Sequence, residues 1–103
     1  MIDIYQYSTP EIIRILGQRE RTYRIRLRLT QKELAERAGI SVPTLHAFES
    51  GTNKDISFST LLRILRSIGQ LEGADKLLEE IPESPYTKHE SGEQRQRVRH
   101  KKA

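Results

Sequence analysis

Two short helical stretches with only three residues between them constrain this chain more than any other feature of it. Thr30-Gln31-Lys32-Glu33 is a capping box, in which the Thr hydroxyl accepts from the third helical N–H while the Glu carboxylate reaches back to the cap. The helix it opens starts at Gln31, buries Leu34 and Ala38 at i and i+4, and stops at Gly39, the residue that enters a left-handed cap most cheaply. Ser41 caps a second helix, Val42 to about Ser50, closed by Gly51. Gly39, Ile40 and Ser41 alone join the two, and so short a connection makes the axes cross steeply. A close crossing needs a small residue. Ala35 supplies it one turn before Gly39, while Leu45 and Phe48 project back toward a core.

The same punctuation extends over the flanking segments. Thr9 reads as an N-cap with Pro10 at the first helical position, where a missing N–H is harmless. The helix that follows runs to about Arg28. At about 100° per residue, Ile12, Leu16, Tyr23 and Leu27 share one face and Arg14, Arg21, Arg24 and Arg28 the other, so one side packs and the other is a basic stripe. Ser57 caps a further helix in which Phe58, Leu61, Leu62, Leu65 and Ile68 are spaced to bury, ended by Gly69. Leu71 to Ile81 makes a fifth. Strand-like alternation is confined to Ile2 to Tyr7, which is either a strand exchanged between two copies or a frayed end. The predicted fold class is all-α, a five-helix bundle.

Apolar residues divide the chain unevenly. Residues 1–8 form an N-terminal arm and 9–81 the folded domain; from 82 onward only Tyr86, Val98 and Ala103 are apolar. That segment holds Pro82, Pro85, Lys88, Arg95, Arg97, Arg99, Lys101 and Lys102, a composition that cannot offset the entropy of ordering, so 82–103 is expected to be a flexible basic tail. With no Cys in the chain, disulfide frameworks, thiol nucleophiles and Cys-ligated zinc are excluded. His46, His89 and His100 are too dispersed to form a metal site, and no cofactor is expected. No Gly-rich phosphate loop and no clustered His and acid pair suggest catalysis, so the expectation is a binding protein, not an enzyme. A net charge of +4 inclines the chain toward polyanions. No leader or apolar span stands out, which reads as cytoplasmic.

Counted from Gln31 as position one, a small residue at five (Ala35), Gly at nine (Gly39) and a branched apolar residue at fifteen (Leu45) meet the steric needs of a helix-turn-helix. On these residues, with Thr44, Phe48-Glu49 and Gly51, the stretch Leu16 to Ile68 resembles the Cro/cI-type (Xre-like) helix-turn-helix family. The resemblance implies the lambda-repressor-like bundle and binding to a double-stranded DNA operator. More narrowly, Leu45-His46-Ala47-Phe48-Glu49, Ser59 to Gly69 and the tail run Arg95-Gln96-Arg97-Val98-Arg99 resemble HipB-type antitoxins of HipA-like kinase toxin-antitoxin modules. That implies an autoregulatory repressor and antitoxin with a serine/threonine kinase partner.

In such proteins the second helix of the motif lies in the major groove. Here its wheel turns Leu45 and Phe48 inward and Pro43, His46, Ala47 and Ser50 outward, with Val42 at the boundary. The outward face lacks the Arg, Lys, Asn and Gln that make bidentate base contacts, leaving His46 as its strong base-reading group and Val42, Pro43 and Ala47 for thymine methyls. Phosphate contacts and DNA shape should therefore carry much of the discrimination. The family implies phosphate anchors at Gln31, Ser41, Thr44, Thr52, Asn53 and Lys54, and a structural ion pair of Arg24 with Glu49. Arg28 stands where relatives often carry Gly, so the first helix is expected to end differently. A two-fold operator fits a homodimer, with excess apolar surface on the fourth helix and Leu71, Leu77 and Leu78 at its contact. The arginine stripe is a solvated face, a DNA-backbone contact or a partner contact, and the tail binds a partner, binds DNA or does neither. A stand-alone repressor without a toxin, or an adaptor that binds protein alone, shares the same residues.

Overall fold

The computed structural model describes residues 3–82. The tail from 83 onward and the first two residues of the arm lie outside the described residues. A 3-10 turn, Ile4–Gln6, precedes five α-helices: α1 Thr9–Arg26, α2 Gln31–Ala38, α3 Val42–Ser50, α4 Phe58–Ser67 and α5 Glu72–Leu77. The strand-like alternation of the arm gives way to this turn because the Asp3 carboxylate accepts from the Tyr5 N–H at 3.2 Å. That local bond offers the backbone a partner that an isolated strand lacks. No strand occurs among the described residues.

Helix α1 starts one residue earlier than the Thr9 cap predicts. Ser8 is the cap: its hydroxyl accepts from the Glu11 N–H at 3.3 Å, and Glu11 Oε1 accepts from the Ser8 N–H at 2.8 Å. Glu11 stands three residues after Ser8, so Ser8 can close a reciprocal box and Thr9 cannot. Pro10 remains in the first turn, where no acceptor is lost.

The inward face of α1 is also rotated from the predicted stripe. Gly17, Glu20 and Arg24 are buried with Ile13 and Leu16 beside them, while Tyr23 and Leu27 are 42% and 49% exposed. Gly17 causes the rotation: a Cβ there would lie 2.9 Å from the carbonyl carbon of Phe48 and closer still to its oxygen. Helix α3 thus crosses α1 directly over Gly17, and the residues one and two turns away along that face are Glu20 and Arg24. An apolar periodicity passes over these two charged positions, and Arg24 belongs to the core rather than to the basic stripe.

The end of α1 differs from the predicted Arg28 as well. The helix stops at Arg26 with Leu27 as its cap, and Arg28 takes φ +59°, the left-handed conformation that favours Gly. This reversal delivers Leu29 into the core and brings its carbonyl to Arg24 Nη1, which donates to it at 2.8 Å.

Helices α2 and α3 form as their caps dictate. Glu33 N–H donates to Thr30 Oγ1 at 3.0 Å, Thr30 N–H donates to Glu33 Oε1 at 2.9 Å, and Gly39 ends α2 at φ +69°. Ser41 Oγ then accepts from the Thr44 N–H at 3.2 Å to open α3. Leu34, Leu45, Phe48 and Ile64 are wholly enclosed, with Leu29, Ala35, Ala38 and Ile68 around them. Each large side chain so buried contributes about 1.5–3 kcal/mol. Ser57 caps α4, but the buried centre of that helix is Ile64 with Ile68, and Phe58 is exposed. Helix α5 ends at Leu77 rather than Ile81, leaving Leu77, Leu78 and Ile81 exposed. No side chain caps its start and it buries none of its residues. Pro82 additionally disfavours a helical Ile81. No helix among the described residues is long and apolar enough to cross a membrane, and none of them group as three or more candidate metal ligands.

Candidate nucleic-acid interface

Helix α3 owes its outward face to its anchoring from within. With Leu45 and Phe48 in the core, Val42, Pro43, His46 and Ser50 are exposed and Thr44 and Ala47 half-buried. Ala47 is therefore less outward than the wheel predicts. Its carbonyl explains this, accepting from the N–H groups of Thr52 and Asn53, each at 3.0 Å, which folds the following loop back over it. The α3 face is apolar at its start and carries one imidazole, with hydroxyls at either end.

The residues expected to anchor phosphates are held by local bonds. Ser41 Oγ and Thr44 Oγ1 share a hydrogen bond of 2.7 Å at the first turn of α3. Thr52 Oγ1 lies 3.1 Å from Ser50 Oγ, and Asn53 Oδ1 accepts from the Asp55 N–H at 3.0 Å. Lys54 is exposed beside them. Gln31 differs from a free anchor, since its Nε2 donates to Glu49 Oε1 at 3.1 Å. One of its amide hydrogens is thus committed to the interior. The first N–H groups of α2 and α3 have no intrahelical acceptor and carry the positive end of the helix dipole.

Behind α3 stands a charged brace. Arg24 Nε donates to Glu49 Oε2 at 2.8 Å and Nη2 donates to Oε1 at 2.9 Å, a bidentate pair joining α1 to α3. Together with Gln31 on α2 and the Leu29 carbonyl, this pair ties three helices at one point. Burial by itself would raise the Glu49 carboxyl, but the bonds from Arg24, with the one from Gln31, hold it below the usual carboxylate range. Such a pair fixes α3 in rotation as well as in position.

Glu20 joins this cluster, and the sequence reading missed it. It is 4% exposed, and neither of its oxygens finds a donor among the described residues. Burial, and then the neighbouring Glu49 carboxylate, push it up to about 9, so at neutral pH it carries a proton. Protonation removes the repulsion that two bare carboxylates would suffer in so dry a site. The usable signal was positional: Glu20 lies one turn before Arg24 and one after Gly17 on the same face.

The arrangement is a rigid, shallowly polar helix presented at the surface, flanked by a loop carrying hydroxyls, an amide and a Lys. It can enter a groove of a duplex and hold the backbone on either side. A family model described as Helix-turn-helix matches residues 21–72, half of the chain. No curated protein and no solved structure shows a significant match. The matched residues begin inside α1, take in α2, α3 and α4 whole, and so include both the presented helix and the brace behind it. The chain belongs to the helix-turn-helix family in its Cro/cI-type branch, a family of DNA-binding regulators of transcription.

Proposed function

We propose that this protein is a sequence-specific repressor that binds a two-fold DNA operator as a homodimer and acts as the autoregulatory antitoxin of a HipA-like serine/threonine kinase. The observation that carries the DNA reading is the exposed face of α3, with Val42, Pro43 and His46 projecting from a helix braced by Arg24 and Glu49. His46 reads a base edge, Val42, Pro43 and Ala47 meet thymine methyls, and Gln31, Ser41, Thr44, Ser50, Thr52, Asn53 and Lys54 set the register on the backbone. The protein works by binding and carries out no catalysis.

The homodimer is supported by apolar surface around α5. A groove of about 280 Å3 between α1, α4 and α5 is lined by Leu16, Tyr23, Leu61, Leu65 and Leu77, and Leu78 and Ile81 lie exposed beyond it. A second copy covering this surface would make the two-fold protein that a palindromic operator requires. The antitoxin role rests on the wording of α3 and α4 and on the basic run Arg95 to Arg99.

Selection from a random duplex pool should enrich an inverted repeat. On that repeat His46→Ala relaxes base preference at one position of each half-site, whereas Lys54→Ala weakens specific and random duplexes alike. Equal losses from both variants on both kinds of DNA would refute these roles. Purification from native cells after nuclease and high salt should retain a kinase-like protein in stoichiometric amount; a bare homodimer would instead make the chain a stand-alone repressor. Retention of that partner by a protein that selects no duplex would mark an adaptor.

A further inference from the structure

Helix α1 extends well before the family match begins at residue 21, and this extension carries Arg14. Arg14 and Arg21 are two turns apart, about 20° from each other on the wheel and roughly 10 Å apart along the axis. They lie on one flank of the buried face defined by Gly17, Glu20 and Arg24, and both are exposed. A Cβ on Gly51 would lie 2.8 Å from Arg14 Cγ and 2.9 Å from Cδ, so the methylenes rest in the notch that Gly51 leaves open. Gly51 is the C-cap of α3, at φ +82°, and the first residue of the loop that carries Thr52, Asn53 and Lys54.

The Arg14 guanidinium makes no salt bridge among the described residues. Glu11, one turn earlier, uses one of its oxygens on the Ser8 N–H. A cation whose stem is already seated loses less side-chain freedom on binding an anion, and a guanidinium matches phosphate with paired donors. The seat at Gly51 also holds the Arg14 stem against the first residue of the loop bearing the expected phosphate anchors.

We propose that Arg14 and Arg21 form a second row of DNA-phosphate contacts, carrying the backbone-binding surface from the α3–α4 loop onto α1. The proposal rests on the DNA-binding reading. It assigns the basic flank to the nucleic acid rather than to solvent or to a protein partner, and it gives Gly51 a second reason to lack a side chain.

The test is the salt dependence of duplex affinity for the full chain, its Arg14→Met, Arg14→Lys and Arg21→Gln variants, and the double variant Arg14→Met/Arg21→Gln. Methionine keeps the apolar stem and removes the charge. The Arg14→Met variant should bind specific and random duplexes about tenfold more weakly at 0.1 M salt, with the slope of log affinity against log salt shallower by about 1 per protomer. Arg14→Lys should keep most of the slope, Arg21→Gln should lose a similar increment without touching the Gly51 seat, and the double variant should lose both. Wild-type slopes in Arg14→Met and in the double variant would overturn the proposal while leaving the DNA reading intact. So would a loss confined to the specific duplex. Absence of salt-dependent binding by the unaltered chain would overturn both.

Discussion

Glu20 is the residue whose surroundings least suit its chemistry. In an unfolded chain its carboxyl loses the proton near 4.5; in the folded protein burial and Glu49 push that loss up to about 9. Between these values the folded state holds a proton that the unfolded state has released, so stability falls as pH rises. Glu49 acts in the opposite direction. Its carboxyl is held low chiefly by Arg24, and its contribution is present above about pH 4.5 and lost as pH falls below it. Thermal melts should therefore peak near pH 5 and decline toward pH 9. Glu20→Gln, which mimics the protonated acid, should gain about 1–2 kcal/mol at neutral pH and remove the alkaline decline. An unchanged decline in that variant would show that Glu20 is not its source. Arg28 offers a second test at this scale. A non-Gly residue in the left-handed region costs roughly 1 kcal/mol, so Arg28→Gly should raise stability by about 0.5–1 kcal/mol in denaturant melts. A loss would mean that the Arg28 side chain contributes more than its backbone strain takes away.

At the scale of elements, Gly17 decides how α1 and α3 meet. In an isolated helix Gly→Ala gains about 1 kcal/mol from propensity. Here a Cβ would meet the backbone of Phe48, which cannot swing aside, so the helices must separate and strain the Arg24–Glu49 pair. Gly17→Ala should therefore cost about 2–3 kcal/mol, read by chemical denaturation, and a gain would contradict the crossing described. The contrast shows what the sequence makes legible. Thr30 with Glu33, Gly39, Ser41 and Ser57 announce their helices because a cap is a bond between residues close in the chain. The rotation of α1 follows from a contact between Gly17 and Phe48, far apart in the chain, and from buried charges that an apolar pattern does not register. Periodicity alone therefore turns Tyr23 and Leu27 inward, where the structure leaves them exposed. The exposure of Pro43, His46 and Ser50 could be read because Leu45 and Phe48, on the same short helix, fix its inward side. Glu20 is legible only through its place between Gly17 and Arg24 on one face, a signal that apolar periodicity passes over.

The whole molecule joins a packed centre to two surfaces. The centre is the core around Leu34, Leu45, Phe48 and Ile64, locked at one corner by Arg24, Glu49 and Gln31. One surface runs from the first turn of α3 through the α3–α4 loop and is the proposed DNA side, with Arg14 and Arg21 its extension. The other is the apolar groove with the exposed end of α5, the proposed dimer side. A net charge of +4 is modest, so affinity for DNA must come from where the charges sit rather than from their sum. The measurement that tests this most directly is the affinity of this chain for its selected duplex between about 0.05 and 0.3 M salt. The proposed homodimer, with each protomer anchoring several phosphates, predicts that log affinity falls linearly with log salt at a slope of about −5 or steeper. A flat slope, or no binding to any duplex, would contradict the assignment of the α3 face to DNA.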